Sequence, residues 1–230
     1  MNARAGADVG RTVARGFGQL LMTLGVVALL FCVWLLWGTG MVTSRAQASL
    51  TDELARSWSD GSADPAETAA PGARAAPPLG TAIARLHVPS LDEYEPWAVV
   101  EGVDVPALKR GPGHMPGTAL PGQVGNVVLS GHRTTYGAPF NRWDELGAGD
   151  QVVLETQEGW FTYTLTGSQV VAPTAVDVTL PVPGQRGAAP VEPLLTMTTC
   201  EPEYSAAERM IVSGRLTSTR PRSDGPPPEL

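Results

Sequence analysis

The sequence contains few aromatic residues, which make up 6% of its 230 positions, whereas it has 26 Gly and 21 Pro. Because Gly and Pro interrupt the chain frequently while bulky rings are sparse, this composition predicts many turns and short strands rather than long helices. Hydrophobic residues nevertheless make up 43% of the chain. This content is sufficient for one ordinary domain with a core, accompanied by accessory segments.

Positive charge is scarce in most of the chain. From residue 46 onward there are 12 Arg and Lys against 22 Asp and Glu, a net charge of about −10. Proteins that bind nucleic acids normally present a basic surface to the phosphate backbone. The sequence therefore predicts that nucleic acid is not a partner.

Charged residues are absent between Arg15 and Arg45, where the sequence is mostly apolar. An α-helix of roughly 20 residues crosses a hydrocarbon core of about 30 Å. Trp34 and Trp37 lie near the end of this run, where indole rings favour the membrane interface. The run is long for a signal peptide, and no small-x-small cleavage motif follows closely. We therefore predict an uncleaved transmembrane anchor at residues 16–44, embedded in the lipid bilayer.

The basic residues on either side of this anchor indicate its orientation. Three arginines precede it and two follow it: Arg4, Arg11 and Arg15, then Arg45 and Arg56. This small excess, read by the positive-inside rule, predicts that residues 1–15 are a cytoplasmic N-terminus. The protein is then expected to be a single-pass protein of the cell membrane whose remaining chain is extracellular.

Three segments are predicted beyond the anchor. Residues 45–79 are expected to be a disordered or extended linker, because 51–79 is rich in Ala, Pro, Asp and Glu without a sustained apolar period. The sequence is also compatible with a helical stretch around Leu50 to Trp58. Residues 80–217 contain seven or eight short apolar or alternating stretches bounded by turn residues. They predict an all-β barrel or sandwich, with one or two short helices near 106–109 and 140–146. The polar, proline-rich residues 218–230 are expected to be a disordered tail.

The chain contains two cysteines, Cys32 and Cys200. Since Cys32 lies inside the predicted anchor and Cys200 in the exported domain, no disulfide is expected between them. A single thiol in an exported domain is either buried and inert, reactive, or half of an intermolecular bridge. The residues around Cys200 have to distinguish these cases.

Cys200 follows the apolar strand predicted at 194–199, and His132 comes shortly after the strand at 126–130. Arg209 begins the last predicted strand. Residues at strand ends project into loops on a rigid scaffold, where catalytic groups often lie. An imidazolium gives a cysteine thiolate character, and a guanidinium can hold a carbonyl or an oxyanion. The pattern is compatible with a Cys–His–Arg site but does not show that the three residues meet.

The other histidines, His87 and His114, are expected to be hydrogen-bonded or solvent-facing side chains. Glu155 and Glu158 are expected to be surface residues rather than ligands of calcium. Nothing in the sequence predicts a metal or a cofactor.

Three motifs surround the candidate Cys–His–Arg residues: GHMPGTALPGQVGNVVLSGHRTTYGAPF at 113–140, LLTMTTC at 194–200 and ERMIVSGRL at 208–216. They resemble motifs of the sortases, the membrane-anchored cysteine transpeptidases of Gram-positive bacteria. The first is similar to the region around the sortase catalytic histidine, the second to the TLxTC signature that ends in the nucleophile, and the third to the strand with the catalytic arginine. By this resemblance the catalytic residues are His132, Cys200 and Arg209.

The resemblance implies a closed β-barrel of about eight strands and a defined reaction. Cys200 cleaves a C-terminal sorting signal, of the LPxTG or LAxTG type, between Thr and Gly and holds the threonyl group as a thioester. An amine of a peptidoglycan precursor, or another amine acceptor, then resolves the thioester. His132 serves as acid and base, and Arg209 steadies the substrate and the intermediate. The implied partners are surface proteins that bear the sorting signal.

The wording SGHRTTYGAPF, together with the composition, most resembles class E, the housekeeping sortases of high-GC Gram-positive bacteria. Met115 stands where class E is associated with an aromatic residue, so the residue preferred at the second signal position is left open. Met115 and Thr199 are the expected substrate-binding residues. Two other functions also stay open: a cysteine peptidase that only hydrolyses, and an inactive binding module.

Overall fold

The computed structural model of the protein describes residues 2–59 and 76–230, which form two compact units, Met1–Thr39 and Gly40–Leu230. The first unit contains helix α1 (Asn2–Val33), followed by a short π-helical segment, Trp34–Gly38. Within α1, Arg15–Val33 is long and apolar enough to cross a membrane by length and composition. The prediction of one apolar N-terminal helix is confirmed.

Helix α2 (Thr39–Ser59) contains the helical stretch considered at 50–58 but begins earlier, so residues 45–59 of the expected linker are helical rather than extended. Leu50 and Leu54 on this helix are fully buried, and this burial gives the segment a reason to be ordered. They form a small apolar cluster with three residues of the barrel unit: Ala98, Val100 and Ala107. The part of the predicted linker at 60–75 lies outside the described residues.

Polar contacts also hold α2 against the barrel. The side-chain amide of Gln47 pairs with Ala98, accepting from its N–H at 2.8 Å and donating to its carbonyl at 3.0 Å. The same amide donates to the carbonyl of Arg110 at 2.7 Å, and the hydroxyl of Thr43 donates to the carbonyl of Lys109 at 2.8 Å. Gln47 thus supplies hydrogen bonds that a neighbouring strand would otherwise provide. The face of α2 that contacts the barrel combines polar residues, Thr43 and Gln47, with apolar ones, Leu50 and Leu54. The sequence therefore does not show the regular apolar spacing by which an amphipathic helix is recognised.

The second unit also contains eight strands that close into a barrel in the order β1-β2-β3-β4-β7-β8-β6-β5. The pairs β2–β3 and β4–β7 are parallel, and all other neighbours are antiparallel. The predicted closed eight-stranded barrel is confirmed. The strands are β1 (Ala82–His87), β2 (Trp97–Glu101), β3 (Gly113–His114), β4 (Gly125–Ser130), β5 (Gln151–Glu155), β6 (Gly159–Val171), β7 (Pro193–Glu201) and β8 (Glu208–Pro221).

Two short helical elements lie close to the predicted positions. Helix α3 (Val105–Leu108) begins after Asp104, whose carboxylate accepts a hydrogen bond from the N–H of Ala107 at 3.0 Å. A single 3-10 turn, Trp143–Glu145, packs its tryptophan into the barrel core, where the ring of Phe140 meets it edge-on at 4.3 Å. Both rings are buried, and Phe140 lies against Gly131, the residue that follows β4.

The C-terminal segment is ordered, contrary to the expectation of a disordered tail at 218–230. Strand β8 continues to Pro221, and the 3-10 turn Arg222–Asp224 follows it. The guanidinium of Arg222 stacks on the ring of Trp58 at 3.9 Å and donates to the carbonyl of Thr156 at 2.7 Å. These contacts order the C-terminal segment. Because Trp58 and Thr156 are far from Arg222 in the sequence, only the folded chain brings them to it.

Glu155 is buried, with 3% of its surface exposed, so its assignment to the surface was wrong; Glu158 is exposed, as expected. Three side chains surround the carboxylate of Glu155, at 3.7, 2.9 and 2.8 Å: Arg85, His87 and Arg222. Burial opposes ionisation of Glu155, but hydrogen bonds from His87 and Arg222 and the charge of Arg85 outweigh it and lower its pKa. The carboxylate therefore joins β1, β5 and the C-terminal turn.

Candidate active site

Cys200 and Arg209 lie directly opposite each other on the antiparallel strands β7 and β8. Directly opposite residues of such a pair project from the same face of the sheet. On β7 the core residues Leu195 and Met197 and the buried Thr199 alternate with Cys200, so the thiol lies on the outer face of the barrel and is partly accessible. Arg215, the other arginine of this motif, pairs with Leu194, six residues away from Cys200. The register therefore places Arg209, rather than Arg215, beside the thiol.

His132 follows β4, which is parallel to β7 with Ser130 opposite Thr198. After β4 the chain stays attached to β7 through two hydrogen bonds. The N–H of Gly131 donates to the carbonyl of Thr198 at 3.1 Å, and the hydroxyl of Thr199 donates to the carbonyl of Gly131 at 2.8 Å. His132 thus leaves β4 beside the end of β7 that carries Cys200. The three predicted catalytic residues therefore lie at the ends of three neighbouring strands.

Within the described part of the chain, no hydrogen bond joins the side chains of His132, Cys200 and Arg209. The guanidinium of Arg209 donates instead to the carbonyls of Ala206 and Glu208, at 3.1 and 2.8 Å. All three side chains are partly exposed. Catalytic hydrogen bonds are often long or unformed in a free enzyme and tighten when substrate binds.

The imidazole of His132 packs against Tyr136, with ring centroids 5.0 Å apart, and the ammonium of Lys109 lies 5.6 Å from the Tyr136 ring centroid. Burial, and then the positive charge of Lys109, lower the pKa of His132 below its ordinary value. Both effects favour the neutral form of the imidazole. Sequence reasoning missed both neighbours. The sequence shows that Lys109 is the only lysine of the chain, but it does not show that this lysine lies near His132 and Tyr136.

We predict that Lys109→Met raises the pKa of His132, because it removes a positive charge that disfavours the imidazolium. An NMR titration of the histidine ring protons in the full chain, with His132 assigned by His132→Gln, measures the change. Arg110→Met is the matched control, since this neighbouring cation donates to the carbonyl of Gly80 instead. A His132 pKa that falls or stays constant in Lys109→Met would contradict the prediction.

The two expected substrate-binding residues occupy different environments. Met115 is partly exposed just after β3, and its N–H donates to the carbonyl of Val128 at 2.9 Å. Thr199 is buried and projects to the inner side of β7, where its hydroxyl holds Gly131. Since alternate residues of a strand face opposite sides, Thr199 cannot share the outer face with Cys200. Thr199 therefore lies beneath the segment that carries His132 and contacts it through Gly131.

His114 and Glu101 form a pair in the barrel wall, with 1% and 2% of their surfaces exposed. Nδ1 of His114 lies 2.6 Å from the Glu101 carboxylate. Nε2 lies 3.0 Å from both the carbonyl of Ala119 and the hydroxyl of Thr118, whose own proton goes to the carbonyl of Met115. His114 and His87 are thus both hydrogen-bonded side chains, as expected. Among the described residues, no group of three or more His, Cys, Asp or Glu is arranged to hold a metal ion.

Comparison with known proteins places these residues in a family. The family model described as "Sortase domain" matches residues 86–217. Sortase SrtE1 of Streptomyces coelicolor is 37% identical over 226 residues, which cover 94% of this chain and 61% of that protein. Sortase SrtE2 of the same organism is 32% identical over 225 residues, covering 93% of this chain and 86% of its own. This chain thus spans about three fifths of the length of Sortase SrtE1.

A solved structure gives the same result at the level of the fold. The crystal structure of Sortase E1 from Streptomyces coelicolor, with a tripeptide in its active site, superposes with a TM-score of 0.59 at 40% identity. The superposition covers 64% of this chain and 95% of that one. The resemblance to class E is confirmed by these relatives, and the chain belongs to the sortase family of transpeptidases.

Proposed function

We propose that the protein is a cysteine transpeptidase that cleaves a C-terminal sorting signal between Thr and Gly and transfers the threonyl end to a cell-wall amine. The observation that carries this proposal is the pairing of Cys200 with Arg209 across β7 and β8, beside the strand end that His132 follows. The sorting signal is of the LAxTG or LPxTG type. Family membership supports the reaction class, and the tripeptide bound by the related Sortase E1 supports a peptide substrate.

In the first half-reaction neutral His132 takes the proton of the Cys200 thiol and becomes an imidazolium. The thiolate attacks the threonine carbonyl carbon, and the carbonyl oxygen becomes an oxyanion. The guanidinium of Arg209 leaves its backbone acceptors and donates to this oxygen, since a nearby cation stabilises developing negative charge. The C–N bond then breaks while His132, as imidazolium, gives its proton to the departing glycine amine. The products are a threonyl thioester on Cys200 and a free glycine amine.

The second half-reaction reverses these roles. Neutral His132 takes a proton from the incoming amine, whose nitrogen attacks the thioester carbon. Collapse of the tetrahedral intermediate breaks the C–S bond, restores the thiolate and leaves a new amide. One acid–base group serves both halves because protonation of a leaving amine and deprotonation of an entering amine are the same transfer in opposite directions. The lowered pKa of His132 favours the neutral form that this half-reaction needs.

The proposal also places the protein at the cell membrane. The apolar helix Arg15–Val33 serves as a single-pass anchor, supported by its length and composition. The excess of arginines before it supports a cytoplasmic N-terminus and an extracellular barrel. The catalytic unit would then meet sorted proteins and the cell-wall amine on the same side of the membrane.

The test uses the full chain in detergent micelles with synthetic peptides that contain Leu-Ala-x-Thr-Gly or Leu-Pro-x-Thr-Gly. Each is incubated with and without oligoglycine or a diamino acid, and products are identified by mass spectrometry. We expect cleavage after Thr together with an amide to the added amine. Cleavage that gives only the free threonine acid with every amine would replace the proposal by a hydrolytic peptidase. Absence of cleavage and of any acyl adduct on Cys200 would overturn it.

A further inference from the structure

Arg133 directly follows His132, and its side chain reaches the residues that directly follow the other two proposed catalytic residues. Its Nη1 donates to the sulfur of Met210, next to Arg209, at 3.2 Å. The same Nη1 lies 3.4 Å from the carboxylate of Glu201, next to Cys200. Arg133 is itself 5% exposed, so these contacts are formed in the interior. The residue after His132 thus contacts, through its buried guanidinium, the residues that follow Cys200 and Arg209 in the sequence.

Two further groups complete the surroundings of this guanidinium. Nη2 lies 3.1 Å from the carboxylate of Asp144, and Nε lies 3.9 Å from that of Glu203. Asn141 adds a backbone link, because its amide donates both to the carbonyl of Arg133 at 3.1 Å and to the carboxylate of Glu203 at 2.9 Å. The loop after β4 and the turn between β7 and β8 are therefore joined by side-chain and backbone contacts at one residue.

We propose that Arg133 is a positioning residue for the transpeptidation proposed above. It holds the His132 loop against the turn that joins Cys200 to Arg209, so that imidazole, thiol and guanidinium keep their mutual geometry. Arg133 is buried while the preceding residue, His132, is partly exposed, so the inward arginine is accompanied by a histidine that reaches the surface. This inference rests on the proposed function for its reaction, while its geometry stands without it.

The charge of Arg133 matters as well as its contacts. Glu201 follows the nucleophile directly, and its carboxylate carries a buried oxygen without a hydrogen bond in the described structure. Beside Arg133 this negative charge is compensated. Without the guanidinium, it would repel the oxyanion that forms one residue away and draw the turn towards solvent. Arg133 thus keeps an acidic turn compatible with negative charge in the transition state.

The test measures steady-state transpeptidation by the full chain carrying Arg133→Met or Arg133→Lys. We expect Arg133→Met to lower kcat by roughly 10- to 100-fold with a much smaller change in KM, because small misplacements of reacting groups cost rate rather than binding. Arg133→Lys keeps the charge and should recover part of kcat. Arg142→Met is the matched control, since this partly exposed arginine of the same loop pairs with Glu145 at 2.6 Å. It should retain wild-type kcat.

A double-mutant cycle separates positioning from a general loss of folding. If Arg133 acts through Glu201, the fold loss in kcat of the double variant Arg133→Met/Glu201→Gln is smaller than the product of the fold losses of the two single variants. If Arg133→Met does not fold, Arg133→Lys with Glu201→Gln serves for the same cycle. Multiplicative losses, or a folded Arg133→Met variant with wild-type kcat, would overturn the inference.

A second readout needs no sorting signal. The rate at which iodoacetamide alkylates Cys200, followed by mass spectrometry of its peptide, should fall in Arg133→Met because His132 no longer faces the thiol. A lower rate in a chain that transfers no peptide would uphold the positioning role while the proposed function fails. An unchanged rate together with unchanged kcat would remove the positioning role and leave the function intact.

Discussion

Cys200→Ala is expected to lower kcat/KM for transpeptidation by at least roughly 10⁴-fold, because removal of a nucleophile leaves only binding and oxyanion stabilisation. Cys200 lies on the outer face of β7 and is a free thiol. Its sulfur therefore contributes little to core packing, and the unfolding temperature of the variant should be close to wild type. Steady-state kinetics with the preferred peptide, together with thermal unfolding followed by circular dichroism, measures both quantities.

The chain offers a matched control for this prediction, because its other thiol is Cys32 in the apolar helix α1. Cys32→Ala should retain wild-type kcat/KM and the threonyl thioester on Cys200. Cys200→Ser should lose almost as much activity as Cys200→Ala, since a serine hydroxyl ionises far less readily than a thiol at neutral pH. A Cys200→Ala protein that still transfers peptide at more than a few per cent of the wild-type rate would refute the assignment of the nucleophile.

His114→Leu is expected to reduce the free energy of unfolding by about 3–5 kcal/mol, the largest stability effect predicted for this protein. The imidazole is the partner of a carboxylate, Glu101, that is itself buried in the barrel wall. Without the histidine this carboxylate must stay charged without a partner or take up a proton, and both states are unfavourable. Urea unfolding of the full chain at pH 7, followed by tryptophan fluorescence, measures the loss.

His87→Leu is the matched control because it breaks another histidine–glutamate contact. Its partner, Glu155, keeps ion pairs with Arg85 and Arg222, at 3.7 and 2.8 Å, so its charge stays compensated. The loss of stability should therefore be clearly smaller than for His114→Leu. Adding Glu101→Gln to His114→Leu should recover part of the loss, since no buried charge is left. Equal losses in the two histidine variants would contradict the account of the buried pair.

Much of the barrel could be predicted from the sequence because its strands are short, apolar and bounded by turn residues. The strand predicted at 126–130 is observed as β4, Gly125–Ser130. Strand β3, Gly113–His114, was missed, since two residues among glycines and prolines carry no periodic pattern. It exists because β2 and β4 on either side provide hydrogen-bonding partners.

Helix α2 and the C-terminal turn are two ordered segments that the sequence did not predict in full. Both segments are polar enough to be read as linker or tail, and each is ordered by a partner distant in sequence. Gln47 finds the backbone of Ala98, and Arg222 finds the ring of Trp58. Glu155 was assigned to the surface for the same reason: its compensating partners come from β1 and from the C-terminal turn.

The sequence by itself determined the apolar helix, the all-β domain and the motifs around His132, Cys200 and Arg209, because hydrophobic patterning and residue chemistry are local properties. Only the tertiary structure decided how those motifs are connected. The register of β7 and β8 sets Cys200 opposite Arg209, and the closure of the barrel brings Arg133 to the neighbours of both. The contacts of Arg133 join residues 68 and 77 positions apart, and the pairing of Cys200 with Arg209 depends on the strand register, so both are fixed by strand order and packing rather than by local sequence.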